Sequence, residues 1–169
     1  MGRKRERDRV EKEIAPSTST TIVCIPGAWN TAQSYEKVIP LLEKHGYKCR
    51  ALTLPSAGGS GPLTHVDDAE HIQRELTELV DQGEDVIIAM HSYGGIPGTE
   101  SAKGFSKAER EKEGKKGGVV GLVYLTAFLV PVGASLSSFL GEDHFPPAWC
   151  QVEVFPLSLS TFSKLTQEP

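Results

Sequence analysis

Residues 86 to 95 read Val-Ile-Ile-Ala-Met-His-Ser-Tyr-Gly-Gly, an apolar run that stops on a serine and turns into glycines. The run predicts a buried parallel strand, Asp85 to His91, which bends sharply at Ser92 into a helix from about Gly95, where Pro97 is tolerable in the first turn. Such a bend requires a small residue two places after the serine, because strand and helix approach closely there. Gly94 meets that need and Gly95 adds room. The position two before the serine is usually small as well, and here it is Met90, a departure from the pattern.

The rest of the chain alternates strand and helix signals, as expected of a mostly parallel sheet covered by helices. Thr21 to Ile25 is a β-branched run ended by Pro26-Gly27. Tyr35 to His45 places Tyr35, Val38, Ile39, Leu41 and Leu42 at helical spacing before Gly46, with Pro40 kinking that helix or starting its second part. A second strand spans Tyr47 to Leu54, and a flexible polar loop runs from Pro55 to Pro62. Asp67 to Gln82 sets Ala69, Ile72, Leu76, Leu79 and Val80 on one face and stops at Gly83. Lys103 to Gly118, charged and glycine-rich, is expected to be exposed and mobile. A fourth strand covers Val119 to Leu125, and a weak helix covers Ala134 to Leu140.

Eighteen basic and twenty-two acidic residues give a net charge of -4, so no global basic field would hold nucleic acid or an anionic membrane. The apolar run Val119 to Val132 is too short to cross a bilayer. Three cysteines, Cys24, Cys49 and Cys150, lack metal-ligand spacing. Two of them lie in apolar runs, as buried thiols do in a reducing compartment, and the expected location is cytoplasmic. Residues 1 to 19 interleave basic and acidic side chains before Ala-Pro-Ser-Thr-Ser and read as a solvated tail.

A serine hydroxyl is a poor nucleophile at neutral pH; a hydrolase needs a base for its proton, donors for the oxyanion and a bend that exposes the oxygen. In this geometry the donors are the N–H after the serine, here Tyr93, and one from a turn after an earlier strand, here Ala28 in Pro26-Gly27-Ala28-Trp29. Taken singly, Gly27 fits any turn and Ser92 fits an ordinary helix N-cap.

Taken together, Ile-Pro-Gly-Ala-Trp after a strand, Tyr-Lys-Cys-Arg-Ala-Leu-Thr-Leu-Pro, a glycine-rich loop, an amphipathic helix and His-Ser-Tyr-Gly-Gly resemble the N-terminal half of the α/β-hydrolase superfamily. The resemblance runs from about Thr20 to about Trp149. It is nearest to the small esterase branch with plant methylesterases and hydroxynitrile lyases, and especially to fungal members. It implies a partial α/β-hydrolase fold, with residues 1–19 a tail, 20–133 the core and 134–169 a lid-like segment and divergent tail. By that resemblance Ser92 is the nucleophile, and Ala28 and Tyr93 supply the oxyanion hole.

In the family, two strands beyond the lid carry the acid and the histidine, and none of the five histidines stands in the expected place. His45 ends a helix, His65 is in a loop, His71 is on the amphipathic helix, and the side chain of His91 is directed away from the serine. His144, beside Glu142 and Asp143, is the remaining candidate base, although a lid loop rarely fixes one. Val154 to Pro169 shows no resemblance. The sequence therefore predicts a serine hydrolase of small, largely apolar esters with no metal or organic cofactor, impaired in this short chain. Trp29, Phe139, Phe145 and Trp149 are its pocket candidates. The alternatives are a non-catalytic chain that binds a small molecule or partner, homo-oligomers through an open sheet edge included, and lyase chemistry on the same scaffold.

Overall fold

The computed structural model describes residues 20–141. The chain divides into two compact units, one ending at Leu129 and one beginning at Val130. In the first, the described strands form one parallel sheet in the order β2-β1-β3-β4, where β1 is Thr20–Ile25, β2 Lys48–Ala51, β3 Asp85–His91 and β4 Gly118–Leu125.

Side-chain alternation along the two central strands divides the core between the faces of this sheet. Val86, Ile88 and Met90 of β3 join Val23 and Ile25 of β1 in a cluster with Ile72, Leu76 and Leu79 of α2 (His65–Asp81). Ile87 and Ala89 turn the other way, toward Ile22 and Cys24, Tyr35, and Ile39 and Leu42 of α1 (Ile39–Lys44). Burial raises the Cys24 thiol to about 11, with neighbouring Cys49 adding to the effect, so it acts as a small hydrophobe.

Three expectations are corrected. The span Tyr35 to His45 is not a continuous helix: a 3₁₀ turn covers Ala32–Tyr35, and of the two roles expected for Pro40 it takes the second, starting the later part, α1 from Ile39, because it lacks an N–H and fits only in a first turn. Helix α2 starts two residues before Asp67, since Thr64 caps it by accepting from the Val66 N–H at 3.2 Å while Asp67 accepts from the Thr64 N–H at 2.7 Å. His65 is thus the first residue of a helix and not part of a loop. The ladder of β2 is shorter than Tyr47 to Leu54.

The segment Lys103 to Gly118 is not uniformly exposed. It contains α4 (Lys107–Lys112), from which Arg110 turns inward with its side chain 7% exposed. Arg110 Nε donates to the Gly117 carbonyl at 2.6 Å, and Nη2 donates to the Val80 carbonyl at 3.2 Å and to Asp81 Oδ1 at 2.8 Å. In the second unit, α5 (Leu136–Leu140) is capped by a reciprocal Ser135–Ser138 pair. No helix among the described residues is long and apolar enough to cross a membrane.

Candidate active site

Because β1 and β3 are parallel neighbours, with Ile25 opposite Met90, the turns that follow them emerge at the same end of the sheet. After β3 the chain makes a single 3₁₀ turn, Ser92–Gly94, and enters α3 (Gly95–Ser101). Ser92 sits at φ +50°. That left-handed conformation is unfavourable for a side-chain-bearing residue and persists only where its surroundings impose it.

The surroundings are tight. A Cβ on Gly94 would stand 2.5 Å from the Pro26 carbonyl oxygen and 2.9 Å from Ile25 Cγ2, so the end of β1 touches the bend directly. A Cβ on Gly27 would stand 3.0 Å from Ser92 Cβ and 3.1 Å from His91 Nδ1. Glycine at both positions lets the two turns meet. Met90 is accommodated from the opposite side: it is fully buried, and a Cβ on Gly98 of α3 would lie 2.6 Å from its sulfur. A large residue two before the serine is therefore matched by an absent side chain six after it.

The turn after β1 closes with the Asn30 N–H donating to the Gly27 carbonyl at 3.2 Å, and the Asn30 side chain donates to the Ala28 carbonyl at 2.9 Å. Ala28 thus lies inside a closed turn beside the Ser92 bend. Trp29 is at its left-handed corner, φ +61°, and is 80% exposed. The buried Tyr35 hydroxyl donates to the Ile25 carbonyl at 2.9 Å. Burial, with a smaller effect from Cys24, pushes that phenol up to about 12, which keeps it a donor. On the far side, the Phe128 N–H donates to the Ser92 carbonyl at 3.0 Å.

Tyr93 has a second attachment that sequence reasoning missed. Its hydroxyl donates to Asp68 Oδ2 at 2.7 Å, and Asp68, on α2, is fully buried. Ser56 donates to the same carboxylate from its N–H at 2.9 Å and its hydroxyl at 2.6 Å. Asp68 lies four and eight residues before Ile72 and Leu76 on the core stripe, and an acid in that register was the available signal.

Among the described residues no imidazole hydrogen-bonds the Ser92 hydroxyl. His45 caps the end of α1, His71 lies within α2, and the ring of His91 flanks Gly27. His144, Phe145 and Trp149 lie outside the described residues. Within them, no group of three or more His, Cys, Asp or Glu could hold a metal ion.

Residues 22–165 match the alpha/beta hydrolase family, a span that continues past Trp149 into the segment where the sequence showed no resemblance. The alpha/beta hydrolase nvfD of Aspergillus novofumigatus is 35% identical over 135 residues, 79% of this chain and 52% of that protein. The probable hydrolase R7 of Phoma sp. is 32% identical over 127 residues, 73% of this chain and 49% of its own. Among solved structures, a pyrethroid hydrolase from Sphingobium faniae JZ-2 superimposes with a TM-score of 0.51 at 32% identity, over 72% of this chain and 45% of that one. Polyneuridine aldehyde esterase, at 24% identity, shares the fold with a TM-score of 0.55 over 75% of this chain and 47% of its own. The chain spans about half the length of these relatives. The parallel sheet, the left-handed serine at the end of its central strand and this span of matched residues lead to one conclusion: the chain belongs to the alpha/beta hydrolase family.

Proposed function

We propose that this protein is a serine-type carboxyl-ester hydrolase of small, largely apolar substrates. The observation that carries the reading is Ser92, half-buried and at φ +50°, on a bend pressed against Gly27, since a strained corner is what a nucleophile needs and an ordinary helix cap does not. In this reading Ser92 Oγ attacks the ester carbonyl, and the N–H groups of Tyr93 and Ala28 stabilise the oxyanion. The serine proton passes through a base to the departing alcohol, and water then hydrolyses the acyl-enzyme. The base is assigned outside residues 20–141, where His144 is the chain's own candidate.

A non-catalytic binding protein is the competing reading. It is favoured by the lack, among the described residues, of an imidazole on Ser92. Hydrolysis of a short p-nitrophenyl ester by the purified chain, beside Ser92→Ala and His144→Ala, separates the two. The hydrolase reading expects Ser92→Ala to reduce turnover on the order of a thousandfold or more. Equal rates for the unmutated chain and Ser92→Ala would leave the binding reading.

A further inference from the structure

We infer that Asp68 and the Tyr93 hydroxyl form a buried latch that positions the Tyr93 backbone N–H, making Asp68 a positioning residue for the oxyanion hole. The inference rests on the serine-hydrolase reading, in which that N–H is a donor.

Asp68 has no exposed surface. A carboxylate there is costly unless its oxygens are hydrogen-bonded, and among the described residues its donors are neutral: the Tyr93 hydroxyl, the Ser56 hydroxyl and the Ser56 N–H. The carboxylate therefore joins three places at one end of the sheet: helix α2, the loop after β2, and the residue that follows the serine. An apolar side chain in the same register would serve the core without that burden, so packing alone does not account for an acid at this position.

The geometry of Tyr93 explains what the acid does. Its backbone N–H belongs to the peptide that joins it to Ser92, while its ring packs against the apolar cluster and its hydroxyl reaches a helix 25 residues back. With the ring in the cluster and the hydroxyl on Asp68, the Cα–Cβ direction of Tyr93 is fixed, and with it the anchor point of the 92–93 peptide that carries the N–H. Burial, and then the hydrogen bond to Asp68, raise the Tyr93 phenol well above its ordinary value, so the hydroxyl remains protonated and donating. Ser92 itself is restrained by the Phe128 N–H on its carbonyl and by the close approach of Gly27 to its Cβ. Among these restraints, the latch acts through the side chain of the donor residue itself.

The test uses the full chain and two readouts. The first is hydrogen exchange at the position-93 amide relative to that of Ile88 in the same molecule, which needs no catalysis. The second is the rate of Ser92 labelling by a fluorophosphonate, together with KM for a p-nitrophenyl ester. Tyr93→Phe, which keeps the ring and its packing, is expected to raise exchange at position 93 on the order of tenfold relative to Ile88 and to slow labelling by a similar factor, with KM unchanged. Asp68→Ala should behave alike, Asp68→Asn should recover part of the loss through its remaining acceptor, and Asp68→Ala with Tyr93→Phe should be no worse than either alone. Exchange at positions 93 and 88 rising together, or labelling unchanged in folded Tyr93→Phe, would overturn the latch. If Asp68→Ala does not fold, Tyr93→Phe decides by itself. Absence of labelling in the unmutated chain would overturn the hydrolase reading instead, and exchange at position 93 would then decide the latch alone.

Discussion

The two ends of the sheet differ in how charge and backbone strain are placed. At the end where the strands begin, charged side chains tie the elements together: Lys48 pairs with Glu84 at 2.5 Å, Lys107 with Asp85 at 2.5 Å, and Arg110 with Asp81 at 2.8 Å. At the end where β1 and β3 finish there is strained backbone at Trp29 and Ser92, glycines that admit no side chain, and a buried acid held by neutral donors. Glycines that admit no side chain stand at both ends, Gly117 and Gly118 at the first and Gly27 and Gly94 at the second, but these ion pairs stand at the first and the strained Trp29 and Ser92 at the second. Among the described residues no ion pair involves Trp29 or Ser92, so in the proposed reaction none would compete there for a developing negative charge, at the cost of backbone strain.

Substitutions at each end should therefore separate stability from reactivity. The largest effect is expected for Ser92→Gly, which removes the proposed nucleophile and should abolish the proposed ester turnover, while relief of the left-handed strain stabilises the fold by about 1 kcal/mol. Chemical denaturation beside the ester assay checks both, and a loss of stability would mean that Ser92 serves the fold. Next comes Arg110→Met at the opposite end, which leaves the Gly117 carbonyl without its donor, takes one of several donors from the Val80 carbonyl and removes the pair with Asp81, and should cost about 3 kcal/mol. Labelling of its folded fraction at Ser92 should match the unmutated chain.

Gly94→Ala is expected to cost about 2 kcal/mol, because its methyl would overlap the Pro26 carbonyl and push β1 off the bend. Unlike Arg110→Met, it should also slow labelling in the folded state, and equal labelling would break the distinction between the two ends.

The smallest effect concerns acid. Burial works against the Glu84 carboxylate, but hydrogen bonds from Lys48 and Thr21 outweigh it and hold the carboxyl below its usual value of 4.5. Its contribution is present above that unfolded value and is lost as pH falls through the lower folded one. With Lys48 half exposed, Glu84→Gln should flatten the acid limb of the stability curve by only about 0.5 kcal/mol, and less in high salt.

How much of this was legible in the sequence followed the range of the forces involved. Strand β3 has the bounds its apolar run predicts, and the start of α3 at Gly95 follows from the paired glycines after Ser92. The 3₁₀ turn at Ala32–Tyr35 was hidden because Tyr35, Val38 and Leu42 share a helical period even though Pro40 forbids one continuous helix. Arg110 was read as surface because its partners are backbone carbonyls near residues 80 and 117, which composition does not reveal. The contact between Gly27 and Ser92 depends on strand order, which brings β1 beside β3 although β2 and α2 intervene in the chain. Asp68 was visible as an acid on an apolar stripe, but its tie to Tyr93 needed the fold.

The central claim is that the strained corner at the end of β3 carries an activated nucleophile. Its most direct test is to incubate the full-length chain with a fluorophosphonate and to map the adduct by peptide mass spectrometry. The account predicts a single adduct on the peptide containing Ser92, absent from Ser92→Ala and slowed in Tyr93→Phe. An unlabelled Ser92, or an adduct that persists in Ser92→Ala, would contradict it.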